Sequence, residues 1–226
     1  MKRWENLPEQ MKKDALRPYY DILKRKGFSR FIKRTFDIFA SLFLICLLSP
    51  VMLVIAVWIK CDSKGPVLYK SSRVTAYGKD FKILKFRTMV VDADKKGALI
   101  TVSGDDRITR VGKKIRRLRI DEFPQLFNIL AGQMSFVGTR PEVRRYVDAY
   151  TDEMLATLLL PAGVTSRASI AYRDEDEKML ALTETGMSVD EAYIEHVLPE
   201  KMKYNLEYLK NFNFFEDIDT CIKTVF

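Results

Sequence analysis

The densest concentration of reactive side chains in the sequence is Arg116-Arg117-Leu118-Arg119-Ile120-Asp121-Glu122-Phe123-Pro124-Gln125-Leu126-Phe127-Asn128. Adjacent carboxylates among arginines can divide labour. One stays ionised as a nucleophile while the other holds a hard divalent cation through oxygen. Proline is tolerated in a first helical turn and disfavours helix in the residue before it, so a helix is predicted to begin close to Pro124. Asp121 and Glu122 then stand at its mouth, where unpaired amides and the positive end of the dipole would bind phosphate. Arg116, Arg117 and Arg119 add charge from the preceding segment. The plainer reading is an acidic N-cap.

Further cations could serve the same anion. Lys85-Phe86-Arg87-Thr88-Met89 ends an apolar run with two alternating positive charges on one face. Gly138-Thr139-Arg140-Pro141 offers a turn with a fixed guanidinium suited to bidentate phosphate contact. Each cluster could equally supply surface ion pairs. Asp105-Asp106-Arg107 reads as a turn with an Asx cap, with metal binding as the alternative. A single histidine, His196, excludes multi-histidine zinc sites. Three cysteines (Cys46, Cys61, Cys221) without a CxxC pair make a disulfide framework or zinc knot improbable and fit a reduced compartment. What survives is chemistry by carboxylates, Lys/Arg and main-chain amides, with a hard metal.

The elements that must position these groups begin with an apolar run, Ile38–Ile59, which carries no charge. As a helix it would be about 33 Å long, enough to cross a hydrocarbon core. It starts too late and runs too long for a signal peptide. A single span is the simple reading, but Ser49-Pro50 interrupts the middle. Both flanks are also basic, with Lys24, Arg25, Lys26, Arg30, Lys33 and Arg34 before and Lys60, Lys64, Lys70 and Arg73 after. Basic flanks belong on the cytoplasmic side, and one crossing cannot place both there. A helix that enters one leaflet, breaks at Ser49-Pro50 and returns satisfies both constraints, each half reaching about 16 Å.

The 226-residue chain, 47% hydrophobic and 30% charged, has ample material for a core. Its net charge of +8 is unevenly spread. Residues 1–150 are strongly basic and residues from about 151 are acidic, which suggests an anionic partner met by one face. Residues 1–30 mix basic and aromatic side chains and suit an interfacial segment or a solvated arm. Val67–Tyr69 and Phe81–Met89 are predicted strands joined through Tyr77-Gly78. Residues 92–106 read as a loop. Val111–Arg119, 142–159 and 199–215 are predicted helices.

In order along the chain, these motifs closely resemble the bacterial sugar transferase family, the monotopic polyprenyl-phosphate phosphoglycosyl transferases. The carriers are Lys33-Arg34-Thr35-Phe36-Asp37, Ser49-Pro50, Gly65-Pro66-Val67 and Lys85-Phe86-Arg87-Thr88-Met89. They continue through Asp106–Gly112, Asp121–Asn128 and Gly132–Pro141. The resemblance implies an α+β protein: a re-entrant membrane helix-break-helix (residues 31–60) and a small, mostly helical cytoplasmic catalytic domain with a short β-hairpin (61–226). It also implies Asp121 as nucleophile, Glu122 as the Mg2+ ligand and Arg140 as a phosphate holder. Lys85, Arg87, Arg116 and Pro141 join the phosphate- or substrate-binding set. The family's usual Gln and Gly in the hairpin are Ser71 and Thr75 here. Its Pro-Arg-Pro is Thr139-Arg140-Pro141, and its Pro-Gly-Ile-Thr-Gly is Pro161-Ala162-Gly163-Val164-Thr165-Ser166. The last departure is expected to bear on sugar recognition.

The implied function is transfer of a sugar 1-phosphate from a UDP-sugar to polyprenyl (undecaprenyl) phosphate through a covalent aspartyl phosphosugar, with release of UMP. The implied setting is the cytoplasmic face of the bacterial inner membrane, among membrane lipids, at the first membrane step of surface glycan synthesis. A homodimer is allowed; nucleic acid is not an expected partner. The rival reading is a membrane-anchored protein whose basic stretch Lys113–Arg119 grips nucleic acid or anionic lipid. It gives no reason for Asp121-Glu122 within that stretch.

Overall fold

The computed structural model describes residues 1–93, 106–172, 175–184 and 186–225. Helix and a little sheet are mixed, as the α+β expectation required. The N-terminal part forms three 3-10 turns and helix α1 (Arg17–Arg25), and helix α2 (Gly27–Asp62) follows directly. Strands β1 (Leu68–Thr75) and β2 (Lys79–Phe86) make an antiparallel hairpin. Its turn places Tyr77 and Gly78 in left-handed backbone, which matches the strand twist. β1 is longer than its sequence suggests, because cross-strand pairing from Leu68↔Phe86 to Thr75↔Lys79 carries the polar Ser71-Ser72-Arg73 along.

Helix α3 (Arg110–Arg117), a 3-10 turn at Ile120–Glu122 and helix α4 (Gln125–Leu130) come next. Strand β3 (Met134–Val137) pairs in parallel with β4 (Ala162–Thr165), a contact that the sequence reading did not foresee. Most of the helix expected over 142–159 is absent. Only α5 (Arg144–Val147) and a 3-10 run at Met154–Leu159 form there. The remainder comprises α6 (Arg167–Ala171), α7 (Glu175–Glu184), α8 (Val189–Ala192), a π turn (Tyr193–Val197), α9 (Leu198–Lys210) and α10 (Phe214–Val225). Of the loop expected over 92–106, residues 94–105 lie outside the described residues, and Asp105 with them.

The apolar helix is fastened to the domain at both ends. Near its start, Lys33 Nζ donates to the Val137 carbonyl (2.8 Å) and to Asp217 Oδ2 of α10 (2.8 Å). Asp37 accepts from Ser135 Oγ (3.0 Å) and the Phe136 amide (3.2 Å). Arg34 donates to the Ile129 and Leu130 carbonyls, 2.7 and 2.9 Å away, satisfying oxygens at the end of α4. At the other end, Asp62 accepts from the Val111 amide of α3 (3.1 Å). Ile55 and Ile59 pack there against Phe86, Val111 and Ile115. Between the ends, Leu44, Ile45 and Leu48 lie on Phe81, Ile83, Leu126 and Ile129. The outer face is bare: Phe39, Phe43, Leu47, Leu53, Val54 and Val57 are each more than half exposed. A contiguous apolar stripe of this kind needs a nonpolar neighbour.

Pro50 lies inside α2. Helical backbone continues through Ser49-Pro50 to Asp62. The local reason is visible. Proline lacks the amide that would bond the Cys46 carbonyl, and Ser49 Oγ donates to that same oxygen instead (2.9 Å).

The division drawn at residue 30 does not coincide with a packing boundary. Leu7, Met11, Leu16, Tyr19, Tyr20 and Leu23 share one buried cluster with Val147, Leu159, Tyr208 and Phe212. The amphipathic pattern of this segment therefore covers a domain core, not only an interface.

The Lys33–Asp217 pair is buried on both sides, and Tyr208 Oη donates to the other Asp217 oxygen at 2.6 Å. Removing one partner strands a charge, so Lys33→Met or Asp217→Asn should each cost about 3–5 kcal/mol in chemical denaturation. The double variant Lys33→Met/Asp217→Asn should cost clearly less than the two singles added. Strict additivity would contradict this account of the anchor.

Candidate active site

Three segments converge on one cleft. The first is the end of β2, which carries Lys85. The second runs from α3 through the 3-10 turn and supplies Arg116, Asp121 and Glu122. The third is the turn after β3, with Arg140 and Pro141. Asn128 ties the first two together. Its side-chain amide accepts from the Leu84 amide (2.9 Å) and donates to the Lys82 carbonyl (2.9 Å), so α4 meets β2 as a strand would. The third segment depends on glycine. Gly138 and Gly163 are in backbone contact, and a Cβ on Gly163 would lie 2.1 Å from the Gly138 nitrogen. That approach permits the bonds Gly138 N to Thr165 O (3.0 Å) and Gly163 N to Thr139 O (2.9 Å), which set the course of Thr139-Arg140-Pro141. Pro141 restricts the backbone of Arg140 further.

Within the cleft, Lys85 Nζ lies 2.7 Å from Glu122 Oε1. Asp121 is only 8% exposed. Burial pushes its carboxyl above the ordinary value and the neighbouring Glu122 adds to the rise, while Lys85 and Arg116 oppose it. For Glu122, burial also pushes upward, but Lys85 and Arg140 together outweigh it and hold the carboxyl below its usual range. Environment thus acts on the two neighbours in opposite directions, raising Asp121 and lowering Glu122.

Lys85, Arg116, Asp121 and Arg140 line one cleft of about 640 Å³, which Leu68, Tyr69, Phe86, Met89, Val90 and Val91 also wall. Arg87 borders it but is bonded elsewhere. Its two terminal nitrogens donate to the Lys64 (2.5 Å) and Ser63 (2.8 Å) carbonyls, bracing the chain where it leaves α2. Ser49 and Pro50 lie in α2, away from these lining residues.

The expected cradle of free amides is not formed. The amides of Glu122, Phe123, Leu126 and Phe127 donate to the carbonyls three residues back, from Arg119 to Pro124. Arg119 adopts left-handed backbone and the dyad sits in the resulting 3-10 turn. Lys85, Arg116 and Arg140 supply positive charge to the walls of the cleft.

Sequence reasoning missed Arg73, Glu142, Tyr193 and Lys201. They line a second, smaller chamber of about 140 Å³ that shares Arg73, Ile83, Lys85 and Arg140 with the cleft. Their only signal in the sequence was a polar residue at a position that the fold buries. Thr75, one of the departures from the family pattern, has a structural task. Its hydroxyl donates to the Gln133 carbonyl (2.6 Å) and accepts from the Ala162 amide (3.2 Å).

Among the described residues, no group of three or more His, Cys, Asp or Glu side chains is assembled for a metal. Magnesium does not require one, since it binds one or two carboxylates and completes its shell with water and substrate phosphates. Glu122, beside Asp121, fits that donor set.

Two adjacent carboxylates, Asp121 buried and Glu122 partly so, stand among Lys85, Arg116 and Arg140 in a protein that also carries a long, exposed apolar helix. Comparison with known proteins narrows the class. A family model described as bacterial sugar transferase matches residues 28–226, and the chain belongs to that family. It is 37% identical over 201 residues to the UDP-N-acetylgalactosamine-undecaprenyl-phosphate N-acetylgalactosaminephosphotransferase of Aeromonas hydrophila, covering 86% of this chain and 43% of that protein. It is 31% identical over 222 residues to the UDP-glucose:undecaprenyl-phosphate glucose-1-phosphate transferase of Escherichia coli K12, covering 96% of this chain and 44% of the relative. The uncharacterized sugar transferase EpsL of Bacillus subtilis is 32% identical over 194 residues, covering 86% and 85% respectively. The chain thus spans less than half the length of the first two relatives.

The glycine contact yields a prediction. Gly163→Ala should lower stability by about 1–3 kcal/mol through overpacking, read as a fall in melting temperature. It should also impair any phosphate binding that depends on Arg140. Melting like the wild type would show that the β3–β4 approach is looser than described.

Proposed function

We propose that this chain is a polyprenyl-phosphate sugar-1-phosphate transferase, moving a sugar 1-phosphate from a UDP-sugar to undecaprenyl phosphate and releasing UMP. The observation that carries the reading is the adjacent pair Asp121 and Glu122, with Lys85 and Arg140 lining both cavities and Arg116 the larger one. The relatives named for UDP-sugar and undecaprenyl phosphate support it.

In the first step a carboxylate oxygen of Asp121 attacks the sugar-bearing phosphorus. The bond from that phosphorus to the bridging oxygen breaks, and UMP leaves with the electron pair. An oxygen of the lipid phosphate then attacks the same phosphorus, and the Asp121 carboxylate departs, restored. Lys85, Arg116 and Arg140 offset charge on the phosphoryl oxygens, where positioning and electrostatics supply most of such catalysis. Glu122, with substrate phosphate oxygens, would hold Mg2+, which when bound supplies further charge neutralisation. Arg87, bonded to the Ser63 and Lys64 carbonyls, acts by positioning the cleft wall.

The setting we propose is the cytoplasmic face of the bacterial inner membrane, with α2 as a re-entrant anchor. Both ends of α2 are bonded to one domain, and the stripe between them is exposed and apolar. Beside it, Lys114 Nζ lies 5.4 Å from the Trp58 ring, and Lys113 and Arg117 are exposed. A basic aromatic collar of this kind suits lipid headgroups and accounts for the basic stretch without nucleic acid. The lipid carrier's phosphate would lie at the same level as the cleft. Synthesis of exopolysaccharide or lipopolysaccharide would consume the product.

Two experiments test these readings. Donor alone should release up to one UMP per active site and leave a sugar-phosphate mass on the peptide containing Asp121. Asp121→Asn should abolish both, whereas excess magnesium should partly rescue Glu122→Gln only. UMP release that requires polyprenyl phosphate, with no adduct, would favour direct displacement with Asp121 as a general base. For topology, cysteines introduced at Phe28 and Lys64 should both label from the cytoplasmic side. Labelling of one site from the opposite side would mean a spanning helix.

A further inference from the structure

Resting on the proposed reaction, we infer that the smaller chamber is the sugar subsite, and that Glu142, bridged by Tyr193 to Lys201, reads the sugar's hydroxyl pattern. Two successive in-line displacements at one phosphorus put the leaving UMP and the incoming lipid phosphate in the same apical position, opposite Asp121. That space must empty and refill while the sugar stays on the enzyme. The structure offers two connected cavities. The larger contains Asp121, Arg116 and apolar walls from Leu68, Phe86 and Val91, which suits a phosphate that first carries a nucleoside and then a prenyl chain. The smaller adjoins it through Lys85 and Arg140, includes Glu122, and sets Glu142 and Lys201 among apolar Ile83, Val143 and Val164.

The smaller chamber has the chemistry of a polyol site. Tyr193 Oη donates to Glu142 Oε1 at 2.6 Å, and Lys201 Nζ donates to Tyr193 Oη at 3.2 Å. All three side chains are buried, and the Tyr193 hydroxyl links two opposite charges inside the domain. Neither charge is used by the chemistry at Asp121. Burying them costs free energy that a core has no need to spend. A carboxylate accepts hydroxyl protons and an ammonium donates to hydroxyl oxygens, so together they can tell one ring epimer from another. A π turn at Tyr193–Val197 shifts the register between α8 and α9 and sets Tyr193 against Lys201. Such turns recur at functional sites. Gly163 and Val164 of β4 form the facing wall, within the segment that departs from the family pattern.

The test compares UDP with UDP-glucose, UDP-galactose, UDP-N-acetylglucosamine and UDP-N-acetylgalactosamine, for binding and for UMP release by donor alone. In the wild type, one UDP-sugar should bind more tightly than UDP. Glu142→Gln and Tyr193→Phe should weaken that sugar by about ten- to a hundredfold, the contribution of a hydrogen bond to a charged group. UDP should bind as before, which also shows that the variants fold. The ranking of the four sugars should narrow or change. If both variants weaken UDP and every UDP-sugar alike, or change nothing, the subsite assignment is wrong even where UMP is released. If the wild type releases no UMP while sugar-dependent binding is still lost in the variants, the proposed reaction fails and the subsite stands.

Discussion

The structure depends on the fastening of α2 to the domain by Lys33, Arg34 and Asp37. These residues sit within five positions at the base of a helix whose outer face is hydrocarbon-like. Lys33 and Asp37 bind β3 and Arg34 caps α4, so one short polar patch holds both elements that flank the site. α4 continues from the dyad and β3 runs into Arg140. A shift of the helix would therefore move Asp121 and Arg140 together. Buried polar contacts suit this task because each unsatisfied group would be costly, which leaves few alternative registers.

The same constraint ties membrane attachment to chemistry. The far end of α2 is held by Asp62 on α3, and Arg87 braces the exit of the helix. α3 delivers Arg116 to the cleft and presents Lys113 and Lys114 outward beside Trp58. One short helix thus carries both a cleft-lining arginine and exposed cations.

Electrostatically, the site is a balance of opposed effects. Burial pushes both carboxyls upward. For Glu122, Lys85 and Arg140 reverse that, and Glu122 in turn adds to the rise at Asp121. The two adjacent carboxyls are thereby shifted in opposite directions.

Much of this was legible in the sequence. The dyad, its cations, the uncharged run with two basic flanks and the ordered motifs are local features, and local spacing is enough to read them. The hairpin turn at Tyr77-Gly78 and the helix after Pro124 follow from backbone preferences of single residues. Tertiary structure decided the rest, because it depended on partners far apart in the chain. A left-handed Arg119 set the 3-10 turn that carries the two carboxylates, and the carbonyls of Ser63 and Lys64 fixed the Arg87 guanidinium in the wall of the cleft. Ser49 Oγ bonds the Cys46 carbonyl that Pro50, lacking an amide, leaves without a donor. The chamber of Arg73, Glu142, Tyr193 and Lys201 draws on β1, the turn after β3, a π turn and α9. No spacing in the sequence marks such a set, since only packing decides that a glutamate and a lysine will share one buried hydroxyl.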